Sequence, residues 1–282
     1  MPDILRRNFL VRGVVLFAAS VVPTQPARGA AAASLNEAIN KAGRLRMLSQ
    51  RMAKAYCQIG QNIWPEKSGR ILELSVHSYQ GHLDELKAFA PSADIKATYT
   101  DLDTNWQRYR RLLTGTPNLS NARRIAQINE DALRMAHLGT TQFELFSPTS
   151  VGRLINIAGR QRMLSQRLAK FYMFQQWGIS SPDMNTEMQL AKREFLSAID
   201  ALAHAPENTR EISGELSLAR TQWLFFENAL QEQSVGKKNL HDAVNVATTS
   251  ERILEIMDRV TGLYGALPAS SPVGSAARPA RR

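Results

Sequence analysis

The chain has 282 residues, enough for one large domain or two of ordinary size, and its 21% charged and 44% hydrophobic residues are the balance of a globular protein rather than a membrane-embedded or disordered one. Its formal charge of +10 looks like that of a nucleic-acid binder, but residues 1–31 carry +3 of it and Arg278, Arg281 and Arg282 another +3, so the body holds a mild excess that calls for no nucleic-acid partner. The single cysteine, Cys57, excludes an intrachain disulfide and a cysteine zinc site, and the five histidines form neither HExxH nor CxxCH, so no metal and no cofactor is expected.

In chain order, Arg6-Arg7-Asn8-Phe9-Leu10 comes first, followed by a short apolar run from Gly13 to Val22, then Pro23, Pro26 and four alanines at 30–33. A basic start, about ten apolar residues and a small-residue exit are the parts of a signal peptide. The arginine pair resembles a Tat export signal, which places residues 1–31 as an address and the mature protein in the periplasm. A membrane anchor needs about 20 apolar residues, roughly twice what the run supplies.

An internal repeat organises the rest. Ile39-Asn40-Lys41-Ala42-Gly43-Arg44-Leu45-Arg46-Met47-Leu48-Ser49-Gln50-Arg51-Met52-Ala53-Lys54-Ala55-Tyr56 returns 116 residues later as Ile155-Asn156-Ile157-Ala158-Gly159-Arg160-Gln161-Arg162-Met163-Leu164-Ser165-Gln166-Arg167-Leu168-Ala169-Lys170-Phe171-Tyr172, with fourteen of eighteen positions identical. A fainter echo pairs Pro65 with Pro182, Tyr79 with Phe195 and Trp106 with Trp223. Agreement of this extent in a polar string means duplication.

Each copy reads as four helices. Ser34-Leu35-Asn36-Glu37 has the form of a capping box, so the first helix is expected to open there and run to about Asn62. Pro65 marks a second start, Pro91–Asp94 a break, and Thr116-Pro117-Asn118 the approach to a fourth helix that ends before Ser147-Pro148. In the second copy the breaks fall at Gly178–Pro182, Pro206–Thr209 and Ser234–Lys238. No window alternates with period two long enough for a strand. The expected fold is all-α: two tandem four-helix-bundle units at 34–145 and 150–265, with a disordered tail at 268–282.

At 100° per residue, Leu45, Leu48, Met52 and Tyr56 share one face, the expected core stripe. Asn40, Arg44, Met47, Arg51 and Lys54 lie opposite, and Gly43, Arg46 and Gln50 form a third cluster. Gly43 and Gly159 each cost their helix about 1 kcal/mol relative to alanine, a cost kept where another backbone or a ligand comes close. Three arginines within eight residues repel one another, and no acidic residue lies between Glu37 and Glu66 to compensate them locally. Something anionic, or a set of carboxylates from elsewhere in the chain, is therefore expected to compensate them, and the face reads as functional rather than merely solvated. Trp106, Trp223, Tyr109, Phe225 and Phe226 read as bundle core rather than as a ligand cage, and Cys57, opposite Met173 in the repeat, reads as a small buried apolar residue. No nucleophile–base pair, phosphate loop or paired-carboxylate site emerges, so the protein is not expected to be an enzyme.

The strings from Asn40 to Arg51 and from Asn156 to Arg167 resemble the N-terminal sensor domain of type IV pilus methyl-accepting chemotaxis transducers, the PilJ-type domain. The same family looks like the periplasmic sensor of nitrate/nitrite-responsive histidine kinases, whose first helix carries an Asn-x-Ala-Gly-x-x-Arg-Met box. The resemblance implies a helical bundle in which the box arginine, Arg46 in one copy and Arg162 in the other, contacts an anion at a two-fold, with the glycines Gly43 and Gly159 beside it. The expected ligand set is completed by Asn40, Asn156, Arg44, Arg160, Gln50, Gln166, Arg51 and Arg167. A guanidinium suits a small planar oxyanion such as nitrate or nitrite, because it offers planar, bidentate, permanently charged donors. The arginine after each glycine and the string Met-Leu-Ser-Gln-Arg stand closer to the pilus transducers than to the nitrate kinases.

A tandem chain could bring Arg46 and Arg162 together as an intramolecular pseudo-dimer, or each copy could meet its like in a homodimer. With no second membrane span, coiled coil or kinase read downstream, the protein is expected to hand its state to a membrane-bound sensor, transducer or transporter. The leading reading is a small-oxyanion binding or sensing protein. Its competitors are a ligand-free helical adaptor docking on a chemotaxis or pilus-related transducer, and a Tat-exported redox protein. Changing Arg6 and Arg7 together to lysine should leave the precursor in the cytoplasm, because the Tat receptor reads the pair itself. Cell fractionation checks this, and normal periplasmic accumulation of the double variant contradicts the Tat assignment.

Overall fold

A computed structural model describes residues 28–147, 149–231 and 240–267. The expected export signal, up to residue 27, the expected disordered tail and the whole of the expected break at Ser234–Lys238 lie outside them. The described residues form eight helices and no strand: α1 Arg28–Gly60, α2 Pro65–Phe89, α3 Ala93–Leu113, α4 Leu119–Phe146, α5 Ser150–Gln176, α6 Pro182–Ala203, α7 Arg210–Gln231 and α8 Leu240–Gly265. The all-α expectation is met.

Local chemistry accounts for most ends. Ser92, Asn118, Thr149 and Thr209 each accept a backbone N–H three residues on, from Ile95, Asn121, Gly152 and Ile212. Pro65 and Pro182 stand at the first turn of α2 and α6, where the missing N–H costs nothing. One expected start is corrected: α1 opens at Arg28, so Ser34 and Glu37 lie inside the helix and the apparent capping box caps nothing. The alanines at 30–33 are the strongest helix formers and carry the helix upstream through it. At its other end α1 stops at Gly60, two residues short of Asn62, and Asn62 and Trp64 then turn the chain through left-handed φ values of 60° and 46°.

Within the first half, α1 packs on α2 and α4, and α3 on α4; in the second, α5 packs on α6 and α8, and α7 on α8. The largest interface joins the halves, α1 against α5. The aromatic core repeats as well. Tyr79 stacks on Trp106 with ring centres 4.3 Å apart, and Phe195 stacks on Trp223 at the same distance. Tyr109 and Phe226 meet these tryptophans edge-on at 6.1 and 5.9 Å. Both indoles are buried, which makes them bundle core; Phe225 faces outward instead. Cys57 and Met173 are fully buried.

Since α1 and α5 are covered by their own bundle on one side and by each other on the other, they are buried nearly all round. Leu45, Leu48, Met52 and Tyr56 form the stripe read from the sequence. The faces assigned away from that core are not solvated faces: Met47, Arg46, Gln50 and Lys54 are buried, as are Met163, Arg162, Gln166 and Lys170. The physical reason is the α1–α5 contact, which an isolated helical wheel cannot represent.

Candidate anion site at the α1–α5 interface

Gly43 and Gly159 set the approach of the two motif helices. A Cβ on Gly43 would lie 4.0 Å from the Gly159 Cα, 3.3 Å from Arg162 Nη2 and 3.4 Å from Arg46 Nη2. Both guanidinium groups therefore reach the same point, one from each half of the chain. A Cβ on Gly159 would come within 3.0 Å of Arg162 Nη2, so alanine at either glycine displaces a guanidinium. Arg46 and Arg162 thus approach one another within the one chain.

The contacts are reciprocal. Arg46 Nη2 donates to Asn156 Oδ1 at 2.7 Å and to its carbonyl at 3.3 Å; Arg162 Nη2 donates to Asn40 Oδ1 at 2.9 Å and to its carbonyl at 3.4 Å. Each box asparagine thus serves the arginine of the opposite copy. Asn156 is itself held by Glu144, which accepts from its side-chain amide.

Both arginines are fully buried, and the Nε–H of each finds no hydrogen-bond partner among the described residues. Burial, with repulsion from Arg160 and Arg162, brings Arg46 down to about 9; Arg162 is lowered by burial to about 10 against the opposing pull of Asp258. Both stay charged at neutral pH. Buried cations of this kind demand paired anions or fixed acceptors.

Here the two halves differ. Arg162 Nη1 donates to Asp258 Oδ1 at 2.6 Å, and Arg44 of the other half joins the same carboxylate at 2.8 and 2.9 Å. At the matching place in the first half stands His137, whose Nδ1 lies 3.3 Å from Arg46 Nη1 and 3.4 Å from Arg160 Nη1. Burial and the charges of Arg46 and Arg160 push the imidazole down to about 4, so it is neutral at pH 7 and supplies no negative charge. Arg160 is paired with Glu194, which occupies its Nε and Nη2. No ion pair to a carboxylate is formed by Arg46 among the described residues.

Two turns along lies a layer of lysines. Lys54 donates to Gln166 Oε1 at 2.6 Å, Ser250 Oγ at 3.1 Å and Glu251 at 2.5 Å; Lys170 donates to Asn129 Oδ1 at 2.9 Å and Glu130 at 2.6 Å. Arg51 joins Glu251, and Arg167 joins Glu130 and Glu187. Gln50 donates to Ser49. Of the expected ligand set, Arg51, Arg167, Gln50 and Gln166 therefore sit in or beside this layer, apart from the arginines. Arg44 and Arg160 stand at the edge of the arginine layer with carboxylate partners.

The acids absent from the motif helices are found on other helices, so a set of carboxylates compensates most of the arginines. Glu251 and Asp258 come from α8, Glu130 from α4, and Glu187 and Glu194 from α6. A 121-residue spacing takes Asn129 to Ser250, Glu130 to Glu251 and His137 to Asp258. That register between α4 and α8 is a signal the sequence contained, and His137, Asp258, Glu130, Glu251 and Glu194 are the site residues that reading only the first helix of each copy missed. Among the described residues no three His, Cys, Asp or Glu side chains gather as a metal site. No described helix is long and apolar enough to cross a membrane.

Residues 30–132 match the family model described as Type IV pili methyl-accepting chemotaxis transducer N-term, PilJ. The matched stretch contains Asn40, Gly43, Arg44, Arg46, Gln50 and Arg51 and stops inside α4, before His137. The first half of the chain is thus similar to a sensory domain of chemotaxis transducers. Neither a curated protein nor a solved structure matches the chain.

Burial works against the Glu251 carboxylate, but Lys54 and Arg51 outweigh it and hold it down at about 2. Its contribution to stability is complete above its ordinary value of 4.5 and is lost as pH falls from there toward 2. Glu251→Gln should cost about 3–5 kcal/mol at pH 7, the cost of leaving a buried cation without its partner, and should flatten this part of the acid limb. Urea denaturation of both proteins between pH 7 and pH 2 checks it.

Proposed function

We propose that the protein is a periplasmic sensor of a small oxyanion, with nitrate and nitrite the first candidates. In this reading residues 150–265 are a second copy of the PilJ-type domain, and the chain forms by itself the paired receptor that a homodimer would otherwise supply. Arg46 and Arg162, with Gly43, Gly159, Asn40 and Asn156, make up the receptor layer, and Arg44 and Arg160 flank it. Export by the Tat route belongs to the same proposal and rests on Arg6-Arg7 and the apolar run that follows.

The observation that carries the reading is Arg46: a fully buried guanidinium, beside a second one, with an open Nε–H and no carboxylate in contact. A small anion there relieves like-charge repulsion while it binds, and hydrogen bonds from charged donors are worth more than neutral ones. The anion would link the α1–α5 contact to α4, so an arrangement of these helices that closes on it is favoured over one that does not. A membrane-bound sensor, transducer or transporter that recognises the closed arrangement receives the signal. No covalent step is required.

Calorimetric titration of the full chain with sodium nitrate and sodium nitrite tests the proposal. One anion per chain is expected. Arg46→Gln should lower the affinity by about 1.5–3 kcal/mol, the worth of a hydrogen bond to a charged group. Absence of binding to any small oxyanion in the wild-type chain overturns the sensor and leaves the ligand-free adaptor.

A further inference from the structure

The two halves of the arginine layer place their carboxylates differently: Asp258 stands where the other half has His137, and Glu194, which pairs with Arg160, has Ser78 at its equivalent position. On one side the Asp258 carboxylate bridges two guanidinium groups, Arg162 from its own half and Arg44 from the other. Carboxylate and nitrate are both small, planar and singly charged, with oxygens that accept in the guanidinium plane. Asp258 is therefore a covalently tethered stand-in for such an anion.

On the other side the corresponding guanidinium groups, Arg46 and Arg160, are in place, but His137 replaces the aspartate. One of its two ring nitrogens, Nδ1, touches both arginines at 3.3 and 3.4 Å, longer than the 2.6–2.9 Å contacts that Asp258 makes. Glu194 takes only the Nε and Nη2 of Arg160, leaving Nη1 for the corner; Arg46, like Arg162, keeps an unpartnered Nε–H at zero exposure, but unlike Arg162 it has no carboxylate partner among the described residues. The corner is also reachable. His137 and Arg160, though not Arg46, line an open groove of about 250 Å³ between α4, α5 and α6, whose wall also carries Arg134 and Arg167 along with the carboxylates Glu130, Glu187 and Glu194. His137 thus stands between that groove and the buried Arg46.

We infer that a free small oxyanion binds at the corner formed by Arg46, Arg160 and His137, entering through the α4–α5–α6 groove, and that Asp258 fills the twin corner. This inference rests on the sensor reading and sharpens it: the layer contains two equivalent seats, one is permanently occupied by the chain's own carboxylate, and one anion binds per chain. The anion sits off the pseudo-two-fold between the halves, and the imidazole must turn aside or donate to it. His137 and Asp258 are the residues that decide which side is open.

Two substitutions move the seat in opposite directions. His137→Asp supplies the corner with the carboxylate its twin already has; in titrations of the full chain with sodium nitrate it should weaken binding at least tenfold. Its thermal midpoint without nitrate should exceed that of the wild type and should no longer rise when nitrate is added. Asp258→Asn should open the twin corner, so that two nitrates bind per chain. Nitrate affinity unchanged by His137→Asp, or a single nitrate per chain in Asp258→Asn, overturns the corner assignment while a wild-type chain that binds nitrate keeps the sensor reading. A wild-type chain that binds no oxyanion removes both.

Discussion

The structure depends on the cost of burying cations where two helices meet. Arg46, Arg162, Lys54 and Lys170 all lie at zero exposure around the α1–α5 contact, and each would carry a desolvation penalty of several kcal/mol if left alone. The fold answers with acceptors drawn from the opposite copy. Lys54 of the first half is paired with Glu251 of the second, and Lys170 of the second with Glu130 of the first. Arg46 uses Asn156, and Arg162 uses Asn40. Charge pairs cross between the halves in both directions, so the two are coupled at the α1–α5 contact rather than independent beads on a string.

Compensation of this kind gives specificity as well as stability. An apolar α1–α5 seam would slide more freely, whereas two polar layers of defined register fix the crossing at Gly43 and Gly159. The lysine layer is satisfied on both sides. In the arginine layer Arg162 has a carboxylate partner and Arg46 has none among the described residues, and His137 beside Arg46 borders an open groove. Under the proposed function, a small anion bound beside Arg46 would change the charge balance at the contact that joins the halves.

Much of this was legible in the sequence. The eighteen-residue repeat, the two glycines and the proline and asparagine punctuation predicted two helical units and brought Arg46 and Arg162 together. Helix ends were less legible: Ser34 and Glu37 have the spacing of a capping box, but a run of alanines upstream overrides it. The charge partners were hidden for a different reason. Arg44 and Asp258 are 214 residues apart and Arg51 and Glu251 are 200 apart, separations at which no helical periodicity speaks. The difference between His137 and Asp258 was invisible because α4 and α8 share little identity beyond their register, and a substitution there has meaning only once the two arginines have been seen to converge on it.

A crystal structure of the full chain grown at neutral pH with sodium nitrate tests the central proposal, that one small oxyanion per chain binds at the corner of Arg46, Arg160 and His137. The account predicts a single planar anion per chain, within hydrogen-bond distance of Arg46 and Arg160, with Asp258 still bridging Arg162 and Arg44. A layer with no anion at saturating nitrate, or with the anion bound only at a surface remote from α1 and α5, contradicts it.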